Sequence, residues 1–416
     1  MLQCTHRLAQ WIFLGTMVGL LAGAASALFL WLLGLATAYR AGHESIVFTL
    51  PMAGLGMGLL LQKWGGPVRA GNNLVIDTVH ENSDRIPVSV APWILGGTVL
   101  THLFGGSAGR EGAAIQMGAA IAEEVSHRFS VRPQTRAQLL AAGVAGGFGA
   151  VFGAPIAGTV FGLEVVHLGK IEYSSLVPAL VASVVGDFTV RTIGIHHSVF
   201  PRVEALGIDP LLALKWTLVG VLVALVAIAF IELTHRIRAL LEDKVPTLPL
   251  RMFFGGIAVV ALWQLVGDSQ YLGLGVPTIL SAFSEPSAWY VFALKVLFTA
   301  VTLGAGFLGG EVTPLFFIGA TLGGAIAGPL GLPLALTVGV CMAAMFAAAS
   351  NTPLALSIMA VEMFGANVLP HVVIVCVVAY LMTGNRSIYP SQRLSQEKCG
   401  TRAFDGPVRL RDFDPR

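Results

Sequence analysis

Apolar stretches recur along the whole chain, at roughly 8–39, 46–61, 86–104, 113–123, 138–168, 174–194, 210–232, 251–266, 288–303, 312–328, 334–349, 353–364 and 369–383. A helix needs about 20 apolar residues to cross the hydrocarbon layer of roughly 30 Å. Some stretches reach that length and several fall short. Glycine and proline interrupt many of them, most densely at 143–158 and 304–328. The pattern predicts an all-α polytopic membrane protein whose helices break at membrane depth. A break there strands backbone N–H and C=O groups, which only protein or an aqueous pathway can satisfy. Broken helices therefore predict a binding site near the midplane. The first stretch is far longer than the 7–15-residue core of a cleaved signal. It reads as a long, tilted first helix.

Composition sharpens this picture. Apolar residues make up 55% of the 416 positions and charged ones 12%, against roughly 25% charged in a soluble domain. The mean hydropathy is +0.77. Lipid is the expected solvent, and one transmembrane domain over 1–416 the expected organisation. A net charge of +2, with no basic run interleaved with aromatics, argues against nucleic acid as a partner. Cys4, Cys341, Cys376 and Cys399 are scattered and form no CxxC, so buried or terminal thiols are expected rather than disulfides or a metal site. No HExxH occurs, and the adjacent pair His196–His197 falls in a predicted loop. No cofactor is implied.

An internal repeat runs through the chain. Ala154–Glu164 (APIAGTVFGLE) resembles Thr352–Glu362 (TPLALSIMAVE): each has a proline followed nine residues later by a glutamate, at an offset of 198. Gly109–Gly118 lies over Gly310–Gly319 at an offset of 201. Two motifs in the same order at nearly one offset predict two repeated halves, roughly 40–200 and 210–390, as in many transporters. The residues leave their relative orientation open. A short basic tail follows at 385–416, too small for a regulatory domain. The tail and the loop holding His127, Arg128, Arg132 and Arg136 are expected to be cytoplasmic by their positive charge.

Four segments could carry chemistry. In Gly105–Gly118 (GGSAGREGAAIQMG), Arg110 and Glu111 stand among small residues at the start of an apolar helix. An ionisable group at membrane depth is costly and marks function. A helix N-terminus favours an anion, so the Glu111 carboxylate could occupy an anion site and, once protonated, vacate it. A structural Arg110–Glu111 pair also fits. In Gly304–Phe317 (GAGFLGGEVTPLFF), Glu311, Val312 and Thr313 stand at a similar entry, with Pro314 in the first turn; Glu311 alone also fits a surface cap. Asn72 or Asn73, after Gly71, fits a helix cap or an amide donor to an anion. Tyr389, after the last apolar stretch, fits an interfacial tyrosine or a hydroxyl donor. Gly105–Gly109 also matches G-x-S-x-G, and Gly304–Gly309 matches G-x-G-x-x-G. Both motifs require a strand–turn–helix context that this chain does not offer, so an enzyme is not expected. An intramembrane hydrolase using Ser107 and His102 is the remote alternative.

Together these segments resemble the CLC family of chloride channels and anion/proton antiporters. GREG at 109–112 is similar to that family's G(K/R)EGP, with Ala113 for the proline, and puts Glu111 on the gating, proton-coupled glutamate. GGEVTP at 309–314 falls on the GxFxP region, Tyr389 on the anion-binding tyrosine, and GAPIAGTVFGLEV at 153–165 on the N-A-P-L-A-G helix. The resemblance implies inverted halves, broken helices meeting at the midplane, and a homodimer with one pathway per subunit. Asn72 stands where chloride members have a serine. Val312, preceded by Glu311, replaces the GxFxP phenylalanine, and Val165 replaces the inner proton glutamate. These departures are similar to the fluoride-exporting branch, although residues 74–79 lack the phenylalanines some of its members carry. The implied function is fluoride/proton antiport in the cell inner membrane. Glu111 would gate and carry the proton; Asn72, Gly112, Val312, Thr313 and Tyr389 would bind the anion; Glu311 would line the path. Chloride/proton antiport or a chloride channel is the alternative within the family. Fluoride is small and strongly hydrated, so it requires compact donors such as the Asn72 amide and the hydroxyls of Thr313 and Tyr389.

Overall fold

The computed structural model describes residues 2–81, 85–204, 206–400 and 403–412. The first half holds helices α1 (Leu2–Gly42), α2 (Leu50–Trp64), α3 (Asn72–Glu81), α4 (Val90–Leu103), α5 (Glu111–Arg128), α6 (Pro133–Phe152), α7 (Pro155–Glu164) and α8 (Leu176–Thr192). The second holds α9 (Pro210–Lys244), α10 (Leu248–Val266), α11 (Val276–Ser281), α12 (Trp289–Gly304), α13 (Val312–Leu330), α14 (Leu334–Ser350), α15 (Pro353–Phe364) and α16 (Leu369–Met382). Six described helical segments are long and apolar enough to cross a membrane. With 41 residues, α1 is about 60 Å long at 1.5 Å per residue, so it spans only with a strong tilt or protrudes. α7, with 10 residues, and α15, with 12, reach only part-way across.

The apolar stretch at 138–168 is not one segment. It breaks between α6 and α7, where Gly153 takes a left-handed φ of 71° and Pro155 starts the next helix. A residue with a Cβ is strained at that φ, and proline cannot continue a helix.

α7 and α15 close the break reciprocally. The Glu164 carboxylate accepts from Leu354 N–H at 3.1 Å and Ala355 N–H at 2.8 Å. The Glu362 carboxylate accepts from Ile156 N–H at 3.0 Å and Ala157 N–H at 2.8 Å. Each glutamate stands in the last turn of its own helix and satisfies free N–H groups that begin the other. The two helices therefore run antiparallel. The pairs map onto each other at the offset of 198, so a two-fold relation joins the halves and inverts one against the other.

Small residues set the packing. A Cβ on Gly118 would overlap Gly143 O, and one on Gly147 would overlap Ala114 O, so α5 and α6 touch backbone to backbone. In the second half, Gly319 meets Cys341 O in the same way, bringing α13 onto α14. Close approach of this kind supplies dispersion contact where lipid offers no hydrophobic drive.

The tail is folded. β2 (Arg393–Gln396) pairs antiparallel with β3 (Ala403–Arg409) and parallel with β1 (His167–Leu168), between α7 and α8. Cys341 and Cys376 are buried free thiols and Cys399 is exposed; the Cys4 side chain lies outside the described residues. His196 and His197 lie in a loop, as expected.

Gly147→Leu is expected to cost about 1–3 kcal/mol or more by overpacking, read as a lower thermal midpoint of the detergent-solubilised protein. Gly34→Leu, where a Cβ meets nothing within 4 Å, should leave the midpoint unchanged.

Candidate functional site

The loops that precede α5 and α13 meet head to head. Gly109 and Gly310 exchange backbone hydrogen bonds, at 2.6 and 2.8 Å, as an isolated antiparallel bridge. Each loop turns back on the helix before it in the same way: Gly106 N–H donates to Thr101 O, and Phe307 N–H to Thr302 O. The first loop is pinned further. The His102 ring lies between Thr98 O and Ala108 O, at 2.8 and 2.9 Å. Ser107 N–H donates to Thr302 Oγ1, and its hydroxyl pairs with Thr299 Oγ1 at 2.9 Å. Ser107 and His102 thus spend their hydrogen bonds on the scaffold and not on each other, which removes the geometry a serine nucleophile needs.

Glu111 begins α5 but directs its carboxylate into the start of α13. Thr313 N–H donates to Oε2 at 3.1 Å, and the Thr313 hydroxyl lies 2.6 Å from both carboxylate oxygens. Arg110 adds its N–H at 3.1 Å and Nε at 3.4 Å. The carboxylate is 1% exposed. It sits where the free N–H groups and partial positive charge of α13 would hold any anion. The Arg110–Glu111 pair is real, yet the shorter contacts come from Thr313.

The other residues gather round this point. A Cβ on Gly112 would lie 3.0 Å from Asn72 Nδ2, 3.0 Å from Gly310 Cα and 3.7 Å from Glu311 Oε2. Gly112 therefore lets the Asn72 amide and the Glu311 carboxyl approach the α5 terminus together. Asn72, Glu311 and Tyr389 line one cavity of about 50 Å³. A neighbouring cavity of about 170 Å³ shares Arg69, Asn72, Arg238 and Glu311 with it, and adds Arg251 and Glu242. Val312 is fully buried beside Thr313. Tyr389 is 2% exposed, so it is a core residue and not an interfacial one. Its hydroxyl and the Asn72 carbonyl oxygen make no well-formed hydrogen bond, the mark of groups placed for something other than the fold.

Two expectations change. Neither asparagine side chain caps α3: Asn72 Oδ1 is unbonded, and Asn73 Oδ1 accepts from Ser391 N–H. Glu311 stands at the N-cap position of α13 without a side-chain capping bond, and lines the cavities instead of a membrane surface. Sequence reasoning missed the arginines of the wider cavity. They are 69, 238 and 251 in the chain, and no local spacing joins them.

A family model described as voltage gated chloride channel matches residues 53–384. The chain belongs to this CLC family. A protein of Pseudomonas syringae pv. tomato named chloride/fluoride channel protein is 41% identical over 98% of this chain and 91% of its own length. A solved structure described as a CLC-type fluoride/proton antiporter superposes with a TM-score of 0.91 at 35% identity, covering 93% of this chain and 98% of that one. A slow cyanobacterial Cl⁻/H⁺ antiporter, 21% identical, superposes with a TM-score of 0.79 over 90% and 94% of the two chains, and shows the CLC fold alone.

Thr313→Val removes the hydroxyl held against Glu111. A hydrogen bond to a charged group contributes about 1.5–3 kcal/mol, so release of Glu111 from α13 should become roughly ten- to a hundredfold easier. A cryo-EM map of the variant should show the side chain displaced; a carboxylate left in place would count against this account.

Proposed function

We propose that this CLC protein is a proton-coupled antiporter that exports fluoride, with Glu111 as both gate and proton carrier. The observation that carries the reading is the Glu111 carboxylate held by Thr313 N–H and hydroxyl at the start of α13. Charged, it fills an anion's place. Protonated, it loses its attraction for the helix terminus and can leave, so an anion can take the place it held. One carboxyl thus alternates between blocking the path and moving a proton. No catalysis is involved, and the chain works as a transporter and not as an enzyme.

Fluoride is supported by the relatives' names and by the donors at the cavity. Stripping water from a small, strongly accepting ion requires compact donors. The Asn72 amide and the Tyr389 hydroxyl line the same cavities, and Thr313 stands beyond them. Arg69 and Arg238 at the wider cavity raise the local anion concentration, while Arg251 there is paired with Glu242 at 2.8 Å. Gly112 lets the Asn72 amide and the Glu311 carboxyl come close to the start of α5, and Val312 is buried next to Thr313. We place the protein in the inner membrane as a homodimer, with the basic tail and the wide cavity on the cytoplasmic side.

In proteoliposomes loaded with fluoride, the protein should release fluoride to an electrode while the lumen takes up protons. Glu111→Gln should abolish the coupled proton uptake and slow fluoride efflux by tenfold or more. Coupled efflux that survives Glu111→Gln removes Glu111 from the mechanism. Chloride efflux faster than fluoride in the same vesicles favours the chloride reading instead.

A further inference from the structure

Asn72 and Tyr389 come from opposite ends of the chain, so something must fix the gap between them. Asn72 starts α3. The short turn before it ends at Gly71, with φ 60°, where an added Cβ would meet nothing within 4 Å. That loosely packed entry does not by itself fix where α3 sits. Tyr389 lies in the loop after α16, and this loop is held firmly. Gln392 Nε2 donates to Val165 O at 2.7 Å and to Ser350 O at 2.8 Å. Its Oε1 accepts from Asn351 Nδ2 at 3.0 Å and from Ser387 Oγ at 2.6 Å.

One residue of this loop reaches across to α3. Ser391 is fully buried. Its N–H donates to Asn73 Oδ1 at 3.0 Å, and its hydroxyl donates to Asp77 Oδ2 at 2.9 Å. Asn73 and Asp77 are one helical turn apart, so both face the loop from the same side of α3. Arg409 and Arg411, from the end of the folded tail, add ion pairs to Asp77 at 3.4 and 3.6 Å. His80, a further turn along, contacts Val166 O at 3.0 Å, next to the carbonyl that Gln392 holds.

We propose that Ser391, Asn73 and Asp77 are specificity-determining positioning residues. They lash α3 to the Tyr389 loop, set the separation between the Asn72 amide and the Tyr389 hydroxyl, and so set the size of anion the two can share. The inference deepens the proposed function and rests on its placing the anion between those residues. A site that sorts ions by size must hold its groups to within about 0.5 Å, which their own packing does not do unless neighbours lock them. Here the lock is made of two hydrogen bonds to a single buried serine, with the tail's arginines neutralising the aspartate they depend on. The tail sheet thus supports the anion path it does not touch.

The test compares the ratio of two anion fluxes in proteoliposomes, for the wild type, Ser391→Ala, Asp77→Ala and Ser391→Thr. The ratio is fluoride to chloride or, if the wild type passes no fluoride, chloride to bromide. Ser391→Ala and Asp77→Ala each remove the bond from the Ser391 hydroxyl to Asp77 and leave the Ser391 N–H bonded to Asn73. Loss of that one charge-assisted bond should lower the ratio by about tenfold, raise the KM for the smaller anion, and leave the protons moved per anion unchanged. Ser391→Thr keeps the hydroxyl and should keep the ratio. Ser391→Ala is the decisive variant, since it removes one oxygen atom and is the one expected to fold. A ratio equal to the wild type's in Ser391→Ala overturns the proposal, whether or not total flux falls. Failure of the proposed function shows separately, as absent fluoride efflux from the wild type.

Discussion

Where a helix begins at membrane depth, its first N–H groups have no water to bond. The fold is arranged around that constraint. It is met in three ways, each of them across the two halves of the chain. Gly109 and Gly310 bond to each other, Glu164 and Glu362 each bond the start of the other's helix, and Glu111 bonds the start of α13. The first two are structural, and their symmetry keeps the inverted halves in register. The third is the one that, in the proposed function, a single proton undoes.

The function rests on a symmetric scaffold carrying an asymmetric charge. At the offset of 201, Gly109 corresponds to Gly310, but Glu111 corresponds to Val312 and Gly112 to Thr313. At this pair of helix starts, therefore, the first half sends a carboxylate into the other's, and the second offers a hydroxyl to receive it. Had both halves kept the glutamate, two carboxylates would crowd one site and repel. With Val312 in its place the α13 terminus receives the Glu111 carboxylate without a second one beside it in the equivalent position.

The short helices follow from the same demand. Close backbone packing of α5 on α6 and α13 on α14, allowed by Gly118, Gly143, Gly147 and Gly319, holds these helices tightly enough that their ends stay aligned on the site. The folded tail adds rigidity from outside, since Gln392 and Ser391 tie α7, α14 and α3 to the Tyr389 loop. On the inference drawn above, selectivity among anions depends on parts of the chain that never meet the ion.

By itself the sequence determined the membrane class, the two-fold repeat and the motif residues. Each is written in local or periodic terms: apolar length, proline and glycine breaks, a proline-to-glutamate spacing repeated at a fixed offset. Glu111 and Thr313 were legible because a polar residue at the entry to an apolar helix stands out, whereas Asn72 and Tyr389 became so only through the family resemblance. Only the tertiary structure decided what these groups touch. That Glu111 bonds Thr313, that Tyr389 is core, that Asn73 bonds Ser391 rather than capping its helix, and that Arg69, Arg238 and Arg251 face one cavity all depend on contacts between distant segments. No local pattern encodes such contacts, because a hydrogen bond between positions hundreds of residues apart leaves no periodicity in either segment. The stretch at 138–168 shows the same division: its glycines and Pro155 mark where a helix can break, but that α15 supplies Glu362 to the new helix start is a tertiary contact.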